Sequence, residues 1–201
     1  MLFRKLVTCC GLLFAFLGSQ NTAKADVVLT LLEVGPNVVL SGGGTLNLSA
    51  MTFVAPSVLS SLNWPALGIL SSASPSASLG DAYQYVPGFI GPPNYGPGLN
   101  RDMDVATGAS IGFGRPFNLL LVPVGYASGA PLSVSSTFQN ATLASIGATP
   151  GTYVWTWGSG VTAGSLTLHV GPVAVPEPSA GMLILGCTGL AFLTRRIRRS
   201  H

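Results

Sequence analysis

The sequence predicts an all-β fold, a single β-sandwich-like domain of Greek-key or jelly-roll type, and three observations carry that prediction. Within residues 26–174, Gly, Pro, Ser and Thr interrupt the chain every eight to twelve positions, lysine is absent and charge is sparse, and several short segments alternate apolar with polar residues. Interruptions at that interval are what strands joined by tight turns require. Strict alternation gives a strand one buried and one wet face. The stretch is long enough for one domain with a real core.

Candidate strands run over residues 27–34, 38–40, 45–53, 117–122, 132–138, 152–157 and 165–170. Thr45-Leu46-Asn47-Leu48-Ser49 and Leu166-Thr167-Leu168-His169-Val170 alternate most cleanly. The predominantly apolar stretch from Phe117 to Val124 reads as a central strand. Gly42-Gly43-Gly44, between two candidates, is read as a tight hairpin, because glycine supplies the positive φ such turns need. Pro150-Gly151-Thr152-Tyr153 matches the latter part of the Leu-x-Pro-Gly-x-Tyr pattern of the tyrosine corner, with Ala148 where that pattern has leucine. In that arrangement a Tyr near a strand start bonds the backbone a few residues upstream and locks a Greek-key crossover.

Residues 57–100 read as a Ser/Pro/Gly-rich irregular region. The first half holds Ser57, Ser60, Ser61, Ser71, Ser72, Ser74, Ser76 and Ser78. The second is built on Pro87-Gly88, Gly91-Pro92-Pro93 and Gly96-Pro97-Gly98, with Tyr83, Tyr85, Phe89 and Tyr95 among them. A loop so long is uncommon in a compact domain unless it is functional or mobile, and strand is expected only around residues 82–86.

The two flanks have a different character. Residues 1–25 have the regions of a secretory signal peptide: Arg4 and Lys5, then an apolar core over residues 6–17, then Ala23-Lys24-Ala25 with small residues at −3 and −1. Cleavage by signal peptidase is expected before Asp26. At the other flank, Val175-Pro176-Glu177-Pro178 leads into residues 179–194, which end in Arg195, Arg196, Arg198 and Arg199. As a helix, residues 179–194 would span ~24 Å, short of a ~30 Å hydrocarbon core, a gap that snorkelling arginines and local thinning can close. The arginine cluster places that end on the cytoplasmic side.

These three parts, in this order over residues 175–200, closely resemble the PEP-CTERM sorting signal of exported proteins of Gram-negative bacteria. The resemblance implies recognition of Val175 to Pro178 by an exosortase, a transmembrane helix at 179–194 that holds the precursor in the inner membrane before cleavage, and delivery to the cell surface or extracellular matrix. None of these residues would be catalytic in this chain.

The flanks also correct the charge balance. Seven of the nine basic residues lie in them, leaving Arg101 and Arg115 against Asp26, Glu33, Asp81, Asp102 and Asp104, a net −3 for residues 26–174. That argues against nucleic acid as a partner. Cys9, Cys10 and Cys187 fall in the apolar segments, so the exported part has no disulfide and must fold on its core alone.

Chemistry-bearing patterns are few. Gly108-Ala109-Ser110-Ile111-Gly112 fits G-x-S-x-G, but the nucleophile elbow needs a strand-to-helix turn and histidine and acid partners. His169 sits inside an alternating strand and is expected on its solvated face, with no second histidine and no cysteine within residues 26–174 to build a zinc site. Asn100, Asp102 and Asp104 have the 1-3-5 oxygen spacing of a calcium loop, a weak metal candidate since Val105 and Ile111 replace its glycine and closing glutamate. Tyr153, Trp155 and Trp157 share one strand face and are expected mainly as core; the competing reading is an aromatic platform for sugar rings. Tyr83, Tyr85 and Tyr95 are the next candidates for glycan stacking. Asn47-Leu48-Ser49 and Asn140-Ala141-Thr142 are formal glycosylation sequons of little weight in a bacterial setting.

The expectation is an exported, non-enzymatic protein without cofactor, with a structural or adhesive role in the cell envelope or exopolysaccharide. Two alternatives stand beside it: a carbohydrate-binding module, calcium-assisted or not, and a permanently anchored single-span membrane protein.

Overall fold

The computed structural model describes residues 25–73 and 78–172. The described strands all lie between Ala25 and Val170. The fold is all-β and consists of two sheets.

The six-stranded sheet begins with β1 (Ala25–Val34) and β2 (Asn37–Thr45), joined through Gly35 and Pro36 with Gly35 at φ 60°. Val27, Leu29 and Leu31 point inward from β1 and the residues between them outward. On the far side of β1 lies β13 (Gly164–Val170), paired in parallel, and then β12 (Gly151–Trp157), antiparallel to β13. On the far side of β2 come β11 (Pro131–Phe138) and β8 (Val105–Gly108). The order is therefore β12-β13-β1-β2-β11-β8.

Gly42, Gly43 and Gly44 do not form the expected hairpin; they lie inside β2, between β1 and β11. Close approach, not turning, explains them. A Cβ on Gly42 would sit 2.1 Å from the Val28 carbonyl oxygen, one on Gly43 2.2 Å from that of Leu132, and one on Gly44 2.0 Å from that of Asp26.

The seven-stranded sheet contains β3 (Thr52–Leu59), β4 (Leu62–Trp64), β5 (Ile69–Ser72), β6 (Ser78–Gln84), β7 (Arg101–Asp102), β9 (Ile111–Gly114) and β10 (Leu119–Pro123). Its order is β3-β6-β10-β9-β5-β4-β7. Register puts Phe53, Tyr83, Leu120, Phe113, Leu70, Asn63 and Arg101 in one row across it. This row faces the other sheet, because Phe113 meets Trp155 with ring centroids 4.9 Å apart. One buried cluster joins both sheets.

The expected strand over residues 45–53 breaks in the middle. The chain crosses there from one sheet to the other, so residues 46–51 have no neighbouring strand. Leu46 N donates to the Tyr126 hydroxyl and Leu48 N to Ser128 Oγ instead, at 3.0 and 2.9 Å. The alternation seen in the sequence survives as burial, with Leu46 and Leu48 inside. The strand expected from Phe117 starts at Leu119, because Arg115–Phe117 forms a 3-10 turn closed by Asn118 at φ 53°. Once begun, β10 is an interior strand, as its apolar run suggests.

Residues 57–100 hold far more strand than expected: the end of β3, then β4, β5 and β6. Serine disguised β5, whose four residues are all buried. Ser71 Oγ donates to the Ser60 carbonyl at 2.7 Å, and the Ser72 and Ser136 hydroxyls meet at 2.5 Å between the sheets. Irregular chain is confined mainly to residues 85–100, and that segment is tied in. Ile90 exchanges both backbone bonds with Thr156, covering the free edge of β12, and Gly98 N donates to the Gly147 carbonyl.

The seven-stranded sheet is also rolled. β3 and β4 are five places apart in its order, about 24 Å in a flat sheet at about 4.8 Å per strand. Only Ser60 and Ser61 connect them, and three peptide steps reach about 11 Å at most. The sheet therefore curls until the end of β3 returns over β5, where the Ser71–Ser60 bond closes the roll.

Candidate functional site

The aromatic residues, expected mainly as core with glycan stacking as the competing reading, are mostly core. β12 brings Tyr153, Trp155 and Trp157 to one face, as alternation dictates, but Trp155 and Trp157 are 0% and 1% exposed. A sugar ring needs an open π-face, so these indoles cannot serve as a glycan platform. Trp155 Nε1 donates to the Pro92 carbonyl at 2.8 Å and Trp157 Nε1 to the Asn47 carbonyl at 2.7 Å, the partners a buried indole N–H requires. Phe89 wedges between them and the second sheet, 5.7 Å from the Trp157 ring and 4.8 Å from Phe113.

Tyr153 is half-buried, and its hydroxyl donates to the Thr149 carbonyl at 2.9 Å, the bond of a tyrosine corner. Burial raises its pKa. Tyr95 is fully buried: its ring lies edge-on to Tyr153 and Trp155, and its hydroxyl reaches Asn63 Oδ1 and, at 2.7 Å, the Ile69 carbonyl. Burial drives its pKa well above the ordinary value. The loop around Tyr95 is therefore a plug for the core. Tyr83 and Tyr85 pack against the core cluster and are half-buried.

His169 stands on the outer face of β13, where its Nδ1 is 2.9 Å from Thr152 Oγ1. The G-x-S-x-G segment joins β8 to β9, strands of different sheets, so Ser110 lies on no strand-to-helix turn. Asn100, Asp102 and Asp104 are exposed, and Asp104 Oδ2 accepts the Gln139 amide at 2.7 Å. Among the described residues no group of three or more His, Cys, Asp or Glu side chains is placed to hold a metal ion. Arg101 serves the fold, donating to the Gln139 carbonyl at 3.2 Å with its Cζ 5.9 Å from the Phe138 ring centroid.

The carboxylates act as clasps between strands and loops. Asp26 Oδ1 accepts from Ser165 Oγ at 2.5 Å, Glu33 Oε1 from Leu143 N at 2.7 Å, and Asp81 Oδ2 from Gly125 N at 2.9 Å. With Asp104, these acids are spread around the fold and each is engaged in holding a loop or strand end.

One feature went unread in the sequence. Inside the rolled sheet lies an apolar hollow of about 160 Å³, whose lining includes Leu59, Ile69, Gly112, Gly114, Leu119 and Leu121. The signal for it was Ile111-Gly112-Phe113-Gly114, where every second residue of a strand lacks a side chain.

Ala23, Val175, Pro176, Glu177, Pro178, residues 179–194 and Arg195, Arg196, Arg198 and Arg199 lie outside the described residues, as does the side chain of Ala25. Among the described residues, no helix is long and apolar enough to cross a membrane. No curated protein and no solved structure matches the chain. A family model, that of the PEP-CTERM protein-sorting motif, matches residues 174–199. The chain thus carries a PEP-CTERM protein-sorting motif, which implies export, sorting to the cell surface and processing by an exosortase.

Proposed function

We propose that residues 26–174 form a sandwich-like domain of Greek-key type that is a structural or adhesive component of the cell envelope or exopolysaccharide matrix. The sorting motif at residues 174–199 carries this reading. Two features of the β-body support it: aromatic rings sealed in the core, and carboxylates engaged in holding loops rather than gathered in a cleft. Such a body is suited to persistence outside the cell and not to catalysis. In this reading signal peptidase removes residues 1–25 and residues 179–194 hold the precursor in the inner membrane. Exosortase then acts at Val175 to Pro178, and the product needs no cofactor.

Replacing Glu177→Ala in the native host tests it. The proposal expects the unaltered protein at the surface or in the medium, and the variant retained uncut in the membrane fraction. Identical distribution and identical mass for the two would overturn it and favour a permanent single-span anchor.

A further inference from the structure

The hollow inside the seven-stranded sheet has the construction of a ligand slot. Register sets Ile69, Gly114 and Leu119 side by side, and likewise Ser71, Gly112 and Leu121. Phe113, between the two glycines, points to the core, so Gly112 and Gly114 face away from it, into the roll. The result is a trough along the strands with a floor of two glycines. Leu119 and Leu121 form one wall, and Ile69 and Ser71 the other.

Leu59 closes one end: its Cδ1 and Cδ2 lie 2.2 and 2.9 Å from where Cβ atoms on Gly80 and Gly112 would be. The other end is open at Phe117, whose ring is 58% exposed, and Val58 at the rim is 62% exposed. The lining carries no charge. Its hydroxyls are two: Ser71 Oγ is already donated to the Ser60 carbonyl at 2.7 Å, and Ser60 itself is exposed. A sugar, an ion or a peptide backbone would find nothing to bond there, and burying it would cost the unpaired polar groups.

The volume, about 160 Å³, is that of an apolar cavity which holds one benzene-sized guest. The shape, one side chain wide and closed at one end, suits a linear chain better than a ring. Gly114 makes the emptiness informative. It has ordinary extended backbone at φ −130°, and a Cβ there would meet only Phe117 Cδ2 at 3.5 Å and the Leu119 oxygen at 3.9 Å. A methyl group would fit, in ordinary contact with Phe117, and the sequence leaves it out.

We infer that this trough binds the end of an alkyl chain, entering past Phe117 and stopping against Leu59, with any polar head left in solvent. Around six carbons would occupy it.

The test uses the protein as recovered from its host, without detergent, and follows thermal unfolding in a series of linear 1-alkanols from butanol to decanol. The midpoint is expected to rise with chain length and level off near six carbons. In Gly114→Val, which fills the floor, the apparent affinity is expected to fall at least tenfold while the far-UV spectrum and the ligand-free midpoint are retained. Should that variant not fold, Gly114→Ala is expected to move the plateau to a shorter chain. No rise at any chain length, or an equal rise in the filled variant, would overturn the inference. A response to benzene that matches hexanol, with no dependence on chain length, would overturn the alkyl specificity.

Discussion

The Tyr153 hydroxyl donates to the Thr149 carbonyl, 2.9 Å away and four residues upstream. That bond pins the start of β12 just where the chain, through Thr149 N and the Tyr95 carbonyl at 2.9 Å, is fastened to the loop that plugs the core. A single hydroxyl therefore links an edge strand to the segment covering its edge. Tyr153→Phe keeps the ring and removes the bond. A net hydrogen bond contributes about 1 kcal/mol, which is about 3 °C of melting temperature in a domain of this size. Calorimetry of the variant is expected to show that drop, with the circular dichroism spectrum unchanged.

Trp155 and Trp157 are core residues, and their removal is expected to act on stability. Trp155→Ala opens a cavity and strands the Pro92 carbonyl, for about 3–5 kcal/mol, a large share of the stability of an ordinary domain. Denaturant titration should register the loss. The same burial predicts that acrylamide quenches these two indoles poorly in the native state, leaving the half-buried Trp64 as the accessible fluorophore.

Gly43→Ala is expected to be severe although it adds one methyl. Its Cβ would sit 2.2 Å from the Leu132 carbonyl, so β2 and β11 must part. A loss of at least about 2 kcal/mol follows from displaced ladder bonds in a central strand pair. Gly125→Ala meets nothing within 4 Å and suffers only from its φ of +70°, so it is the milder control. Urea midpoints of the two variants compare them directly.

Alkaline pH should destabilise the domain through its buried tyrosines. Burial raises the pKa of Tyr95 well above its ordinary 10.0, and that of Tyr153 in the same direction. Above pH 10 the unfolded chain releases these protons while the folded chain retains them, so stability is full below pH 10 and falls as pH rises beyond it. Unfolding free energies measured from pH 8 to 11.5 are expected to be flat and then to decline. Tyr95→Phe should flatten the decline, and absorbance near 295 nm should show Tyr95 ionising only as the fold is lost.

Alternation in the sequence marks burial everywhere and strand almost everywhere; Thr45–Ser49 alternates cleanly, yet its residues 46–49 belong to the crossing between the sheets. β11 and β13 are legible because the inward positions around Val134 and Leu168 alternate with Ser, Thr or His, and β1 and β12 by their β-branched and aromatic residues, although Val28, Leu32 and Val154 break the alternation there. The sequence concealed β5 and β9, which are buried on both sides and therefore do not alternate. β5 is also rich in serine, whose hydroxyls read as loop until Ser60 and Ser136 are seen beside them. The three consecutive glycines pointed to a turn because single-sequence reasoning sees conformational freedom but not a carbonyl of another strand pressing on Cα. The tyrosine corner was legible since its bond is local. The hollow was not, because it depends on the curl that brings Leu59 over Gly112, a contact across 53 positions of chain.

Export of this domain and its release through the sorting motif are read from the intact mass of the protein recovered from cells and medium of its native host. A species beginning at Asp26 and ending near Pro178 is the predicted result, with any surplus mass marking an attached glycan or anchor. Recovery only of a chain that runs on to His201 would contradict it.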